Sequence, residues 1–290
     1  MNHLTQINEH DSTPKNVFNI IDDEDVQIYM HNFYKFFFNG DLGAPVHEKL
    51  QKSAKVLAFR ECGIWTAEVA AEYPNSEFYA VDSIILDSRN EFNNITFIEC
   101  DDFKKIPFPD NEFDYVFTRD NFLYLEKTTL QEGLSELFRV LRPGGWLEVI
   151  NSRQTDLAPG LMYTGLVNAW RSYLETQNID SDILNNFENY LHETGKIDYM
   201  SYRIIKPQAK NASEEVFIDF FLMFFRNARD VLASFMNISF EEYDVLMNNI
   251  EKELEAKGNR MTLLHKKVLA RKKYTHSKET EITIPDLSTK

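Results

Sequence analysis

Apolar positions between Lys55 and Ile150 fall into short runs separated by amphipathic stretches. Val56-Leu-Ala-Phe59 reads as a strand over 55–60, and Ile64, Trp65, Ala67, Val69 and Ala70 mark a helix over 64–73. Strands follow at Glu77–Asp82, Ile95–Glu99 and Phe113–Thr118, the last preceded by a turn-rich loop, Ile106-Pro-Phe-Pro-Asp-Asn-Glu112. Leu130, Leu134, Leu137, Phe138 and Leu141 share one face of a predicted helix over 128–141. Arg142-Pro-Gly-Gly145 ends that helix, its glycines permitting a left-handed exit, and the strand Trp146–Ile150 follows. Short apolar strands alternating with amphipathic helices imply a parallel sheet covered on both faces.

Outside this region the rhythm differs. A helix over 22–38 stops at Asn39-Gly40, and Ala44-Pro45 opens a short helix reaching about Ser53. Downstream, 159–195 reads as helical, 197–207 as a strand, 213–236 and 239–257 as helices, and 261–270 as a last strand. Residues 1–20 form a polar lead-in and 272–290 a polar tail.

Composition narrows the classes. The 290 residues suffice for a substantial core, and 46 acidic against 31 basic side chains give a net charge of -15. Such a surface repels phosphate backbones, so nonspecific nucleic-acid binding is not expected. No apolar run reaches the ~20 residues of a membrane helix, and Met1–Pro14 lacks the apolar stretch of a secretory signal. Two cysteines, Cys62 and Cys100, make no disulfide framework, so a reducing compartment is expected, the cytoplasm or the nucleus. The glycosylation patterns at Asn94, Asn211 and Asn237 then read as chance. The seven histidines show no metal spacing, and no metal is expected.

In open parallel sheets, ligands sit at the carboxyl ends of the strands where strand order reverses. Asp82 ends the second strand, where a carboxylate can accept both hydroxyls of a ribose; its plainer role is a solvated helix cap. Asp101 and Asp102 end the third strand, where one can accept from an adenine amino group with Phe103 on the ring face; the plainer role is loop solubility. The aromatic run Phe217, Phe220, Phe221, Phe224 and Phe225 reads as packing between helices rather than a substrate box.

From His31 to about Arg271 the chain resembles the class I S-adenosylmethionine-dependent methyltransferases, in the fungal branch related to regulators of secondary metabolism. The residues that carry the resemblance are Lys55-Val-Leu, Gly63-Ile-Trp, Glu72-Tyr-Pro-Asn-Ser-Glu77, Ala80-Val-Asp82, Phe97–Asp101, Ile106–Asp114, Arg119 and Arg139–Trp146. The resemblance implies an α/β, Rossmann-like, seven-stranded, mostly parallel sheet with its last strand antiparallel, helices on both faces and a helical cap. It implies a methyltransferase-like domain over 21–271, with a core at 45–151 and cap insertions at about 155–196 and 208–258. It also implies S-adenosylmethionine as cofactor and methyl transfer to a small-molecule or protein acceptor. Carried across, Asp82 holds the ribose, Asp101 the adenine amino group, and Arg60, Glu61, Cys62 and Gly63 the methionine end, with Ser83, Asp102 and Phe103 also among the cofactor-binding residues. Arg119 and Asp120 face donor or acceptor, and Tyr29, His31 and Tyr34 line the lid.

The corner after the first strand departs from the family pattern. Ala58 stands at the acidic position, Arg60 at the first glycine and Cys62 near the second, leaving Gly63 alone. Side-chain bulk there is expected to crowd the cofactor, because glycine serves close approach and positive φ at such corners. A non-catalytic relative acting as a regulatory or interaction module, with a protein partner, is therefore the alternative to an active enzyme. A dehydrogenase is the weakest reading, since it also requires glycines at this turn.

Overall fold

The computed structural model describes residues 24–61, 63–82, 92–100, 102–156, 160–205, 213–256 and 261–274. In chain order the elements are α1 (Glu24–Phe38), α2 (His47–Lys52), β1 (Lys55–Phe59), α3 (Ile64–Glu72), β2 (Glu77–Asp82), β3 (Ile95–Glu99), β4 (Phe113–Arg119), α4 (Lys127–Val140) and β5 (Leu141–Asp156). There follow α5 (Leu161–Thr176), α6 (Ile183–Glu193), β6 (Ile197–Ile205), α7 (Ser213–Asn227), α8 (Arg229–Met236), α9 (Phe240–Ala256) and β7 (Met261–Lys272).

One sheet holds all seven strands in the order β3-β2-β1-β4-β5-β7-β6. Pairings from β3 to β5 are parallel, and β7 runs antiparallel to both β5 and β6 between them. The expected fold class therefore holds, including the reversed last strand. The central strands β1 and β4 are buried along almost their whole length, as uninterrupted apolar runs require when helices cover both faces. β3 and β6 are the edges, and their burial is broken by exposed positions.

Two cores flank the sheet. One packs α1, α2 and α3 through Phe33, Phe38, Leu50, Trp65 and Val69, with Trp65 stacked 4.0 Å from Phe117 of β4. The other packs α4 and α6 through Leu130, Leu134, Leu137 and Phe187. A third core joins α5, α7, α8 and α9 into the cap, where Phe221, Phe224 and Phe225 lie buried as helix packing. The Phe217 and Phe220 side chains fall outside the described residues.

Several boundaries move. The second helix begins at His47 rather than Ala44, and the Gly43 and Ala44 amides ahead of it donate to Glu148 Oε2, at 2.8 and 3.0 Å. The helical stretch expected over 159–195 holds two helices, separated by a turn in which Asn178 takes φ 57. The helix expected over 213–236 breaks at the buried Ala228. The glycines after α4 do not form its exit: Leu141 closes the helix in an extended conformation. Leu141 already pairs with Phe113, and the next partners are Tyr115 and Trp146, so Arg142–Gly145 bulge out opposite one residue. Gly144 supplies φ 75 to that bulge. Asn94, one of the glycosylation matches, donates its side-chain amide to the Ala70 and Ser76 carbonyls, at 3.1 and 3.2 Å.

Candidate functional site

Strand order reverses between β1 and β4, so the crevice outside their carboxyl ends is where this architecture places ligands. The corner 60–63 after β1 and the turn 119–121 after β4 meet there. Asn121 ties them: its side-chain amide donates to the Phe59 and Arg60 carbonyls at 3.2 and 2.8 Å, and to the Arg119 carbonyl at 2.9 Å.

Arg60 adopts φ 51 and Gly63 adopts φ 74. The left-handed turn that glycine normally supplies is thus retained by an arginine, at a cost of about 1 kcal/mol. The Arg60 amide still donates to the Val81 carbonyl at 2.7 Å, continuing the β1–β2 ladder into the corner.

Glu61 turns back onto α3. Its carboxylate accepts from the Trp65 amide at 3.1 Å, the Thr66 amide at 3.4 Å and the Thr66 hydroxyl at 2.5 Å. It caps the donors that Gly63, with no side chain, leaves open at the helix N-terminus. Burial raises its pKa, against the opposing pull of Arg119. Asp82 stands half-buried at the end of β2, near enough to raise Glu61 further.

At the end of β4, Arg119 is 6% exposed. Its Nη1 lies 3.4 Å from His31 Nδ1, and its guanidinium stands 5.3 Å from the Tyr34 ring centre. An arginine only donates, so Nδ1 accepts and the His31 proton sits on Nε2. That nitrogen is 3.2 Å from Glu68 Oε2. Burial lowers the His31 pKa, and Arg119 lowers it further.

Asp120 is held from two sides. It accepts from the Tyr34 hydroxyl at 2.5 Å, the Ser152 amide at 2.8 Å and the Ser152 hydroxyl at 2.7 Å. Burial raises its pKa despite these bonds, and burial together with Asp120 raises Tyr34 well above the usual phenol range. Tyr34 therefore keeps its proton near neutral pH and serves as a donor to Asp120.

Of the residues expected at the site, Arg60, Glu61, Gly63, Asp82, Arg119, Asp120, His31 and Tyr34 lie along the carboxyl ends of β1, β2 and β4 and on the helix over them. Cys62, Ser83 and Asp101 lie outside the described residues, as does the Tyr29 side chain. Asp102 is exposed and accepts from the Lys104 amide at 2.8 Å, a local turn. Phe103 is not on an open rim: its ring packs on Gly133 and edge-on to Phe59 and Phe122, at 5.1 and 5.4 Å.

Other site neighbours were not singled out from the sequence. Ser152 and Asn121 are common residue types with no local signature. His265, expected only as a strand residue, is fully buried beside Phe33 and Tyr34 with neither ring nitrogen hydrogen-bonded, and burial lowers its pKa to about 3. Glu148 carried a signal, a lone charge inside the run Trp146–Ile150. It is fully buried and pairs with Lys267 at 2.8 Å.

His31, Asp41 and Glu68 bring ligand-type atoms within 4.8 Å of one another. The Lys35 ammonium already bonds Asp41 and Glu68, and the His31 tautomer keeps a proton on the nitrogen facing them. This is an ion-pair cluster pinning α1 to α3.

Residues 62–145 match the family model described as "Methyltransferase domain". A curated relative, Methyltransferase str3 of Strobilurus tenacellus, is 30% identical over 152 residues, 49% of this chain and 53% of that protein. The chain thus spans about half the length of the curated relative it matches. Phosphoethanolamine N-methyltransferase 2 of Haemonchus contortus, solved with phosphomonomethylethanolamine and S-adenosylhomocysteine, superposes with a TM-score of 0.50 at 18% identity, covering 89% of this chain and 59% of that one. A S-adenosylmethionine-dependent methyltransferase of Methanosarcina mazei gives 0.47 at 13% identity, covering 81% and 100%. The fold is the Rossmann-like methyltransferase fold. Among the described residues no helix is long and apolar enough to cross a membrane.

Proposed function

We propose that this chain is a class I S-adenosylmethionine-dependent methyltransferase acting on a small-molecule or protein acceptor. The observation that carries the reading is the corner after β1, which keeps left-handed residues at 60 and 63 beside the Asp82 carboxylate although Gly63 is the one glycine left there. The match over 62–145 supports it.

The residues fit the cofactor. Asp82 is half-buried at the strand end where a ribose is accepted. The corner 60–63 takes the methionine end, and Cys62, Ser83, Asp101 and Asp102 stand in sequence at the same strand ends. Arg119, Asp120, His31, Tyr34 and Tyr29 belong to the face toward the reacting groups. When bound, the cofactor supplies a methyl group on a sulfonium. The protein's part is to align the acceptor and exclude water. α1 serves as the cover, fixed by the Tyr34–Asp120 bond and the Lys35 pairs.

The Cβ of Arg60 favours a second reading, a non-catalytic relative that uses the fold as an interaction module. Calorimetry with S-adenosylmethionine and S-adenosylhomocysteine separates the two. Saturable heat with a thermal shift is expected; neither at millimolar ligand means that the enzyme reading is wrong.

A further inference from the structure

Arg119 is buried, yet among the described residues no carboxylate stands within ion-pair distance of it, and its Nη2 has no hydrogen-bond partner. Among the described residues its side-chain hydrogen-bond partner is His31 Nδ1, an uncharged acceptor at 3.4 Å. The acids that feel its field are engaged elsewhere, Glu61 with the α3 amides and Asp120 with Tyr34 and Ser152. A guanidinium taken out of water without a hydrogen-bonded counter-ion is strongly disfavoured, so an unpaired one at the reversal point of the sheet calls for an anion.

We propose that Arg119 is the seat of a ligand carboxylate, bound through its buried, unpartnered Nη2. The proposal takes the ligands' identity from the methyltransferase reading, but the seat stands on the unpaired guanidinium. A singly charged group fits better than a phosphate dianion. Glu61, Asp82 and Asp120 lie around the same crevice, and the whole chain carries -15, so a second negative charge adds repulsion without a second cation. The carboxylate has two sources, the amino-acid end of the cofactor or an acidic acceptor. An acidic acceptor suits the surroundings. His31 and Tyr34 are placed as hydrogen-bond partners rather than bases, and a carboxylate needs no base to become a nucleophile. The rival account makes Arg119 a long-range counter-charge for Glu61 and Asp120, with no ligand role.

Binding to the full chain distinguishes these. The probes are S-adenosylhomocysteine and 5′-methylthioadenosine, which lacks the amino-acid carboxylate, and then butyrate, butyramide and inorganic phosphate in thermal shift. Wild type is compared with Arg119→Met and with Arg119→Lys, which keeps the charge and loses the fork. If the seat holds the cofactor's carboxylate, wild type prefers S-adenosylhomocysteine by roughly ten- to a hundredfold. That preference shrinks in Arg119→Lys and vanishes in Arg119→Met. If the seat holds the acceptor's carboxylate, the preference survives both variants. Butyrate then stabilises wild type but not the variants, while butyramide and phosphate stabilise neither. Both contrasts unchanged in both variants overturn the proposal and leave the counter-charge account. Should Arg119→Met fail to fold, Arg119→Lys carries the same comparison. If neither nucleoside binds wild type, the methyltransferase reading fails, and the butyrate contrast still judges the seat.

Discussion

The Tyr34 hydroxyl of α1 donates to Asp120 at the end of β4, 86 residues away, with O···O 2.5 Å. Ser152 of β5 completes the cluster from the other side, at 2.7 Å from the carboxylate and 3.0 Å from the phenol. One carboxylate therefore fastens the first described helix to two neighbouring strands at the carboxyl edge of the sheet. Asp120 itself takes φ 55, a left-handed conformation that the three bonds help to sustain.

Tyr34→Phe removes one donor from a buried carboxylate and leaves the rest of the packing in place. The expected loss is about 1–3 kcal/mol of stability, measured by urea unfolding, with faster amide exchange in α1. Unchanged stability and exchange would mean that the cluster does not hold the helix.

His265 makes stability depend on acid. Its pKa is about 3 in the folded chain against 6.5 when free, so between those values the unfolded chain binds a proton that the native one does not. Its contribution is complete above pH 6.5 and falls as the pH drops through the window. The slope is about 1.4 kcal/mol per pH unit. His31, also lowered by burial, adds in the same direction. His265→Leu should flatten the fall in unfolding free energy from pH 6.5 to 5 by about one proton's worth; an unaltered slope contradicts the burial account.

Gly133 lies within α4, where alanine would ordinarily be the better helix former. Here a Cβ would fall 2.0 Å from the Phe103 ring. Gly133→Ala is therefore expected to destabilise by about 1–3 kcal/mol, and Gly133→Ala with Phe103→Leu to recover part of it. Stabilisation by the single change would show that the ring moves freely.

Arg60→Gly tests the corner. It removes the Cβ and the left-handed strain while adding chain entropy, so stability should move by less than about 1 kcal/mol. Affinity for S-adenosylhomocysteine should rise. Affinity equal to that of wild type would mean that the Arg60 side chain does not face the ligand.

The seven strands and their order of appearance were legible because each is a short apolar run bounded by turn chemistry. What was not legible came from contacts distant in sequence. β5 extends to Asp156, well past Ile150, because its polar second half pairs with β7, Ser152 opposite His265 and Asp156 opposite Met261. The breaks at 177–182 and at Ala228 lack proline or glycine and are set by cap packing. At the site, the strand-end position Asp82 followed from topology and Arg119 from the family resemblance. The roles of Glu61 and Asp120 did not, since both carboxylates turn to partners of their own protein. Nor did the sequence reveal that Arg60 would adopt the backbone angle of the glycine it replaces.

The central proposal is that the strained corner at 60–63 accommodates a nucleoside thioether. A crystal structure of the chain soaked with S-adenosylhomocysteine tests that most directly. The ribose is predicted against the Asp82 carboxylate and the amino-acid end along residues 60–63. An Arg60 side chain filling that space with no ligand bound, or a ligand seated elsewhere on the sheet, would contradict it.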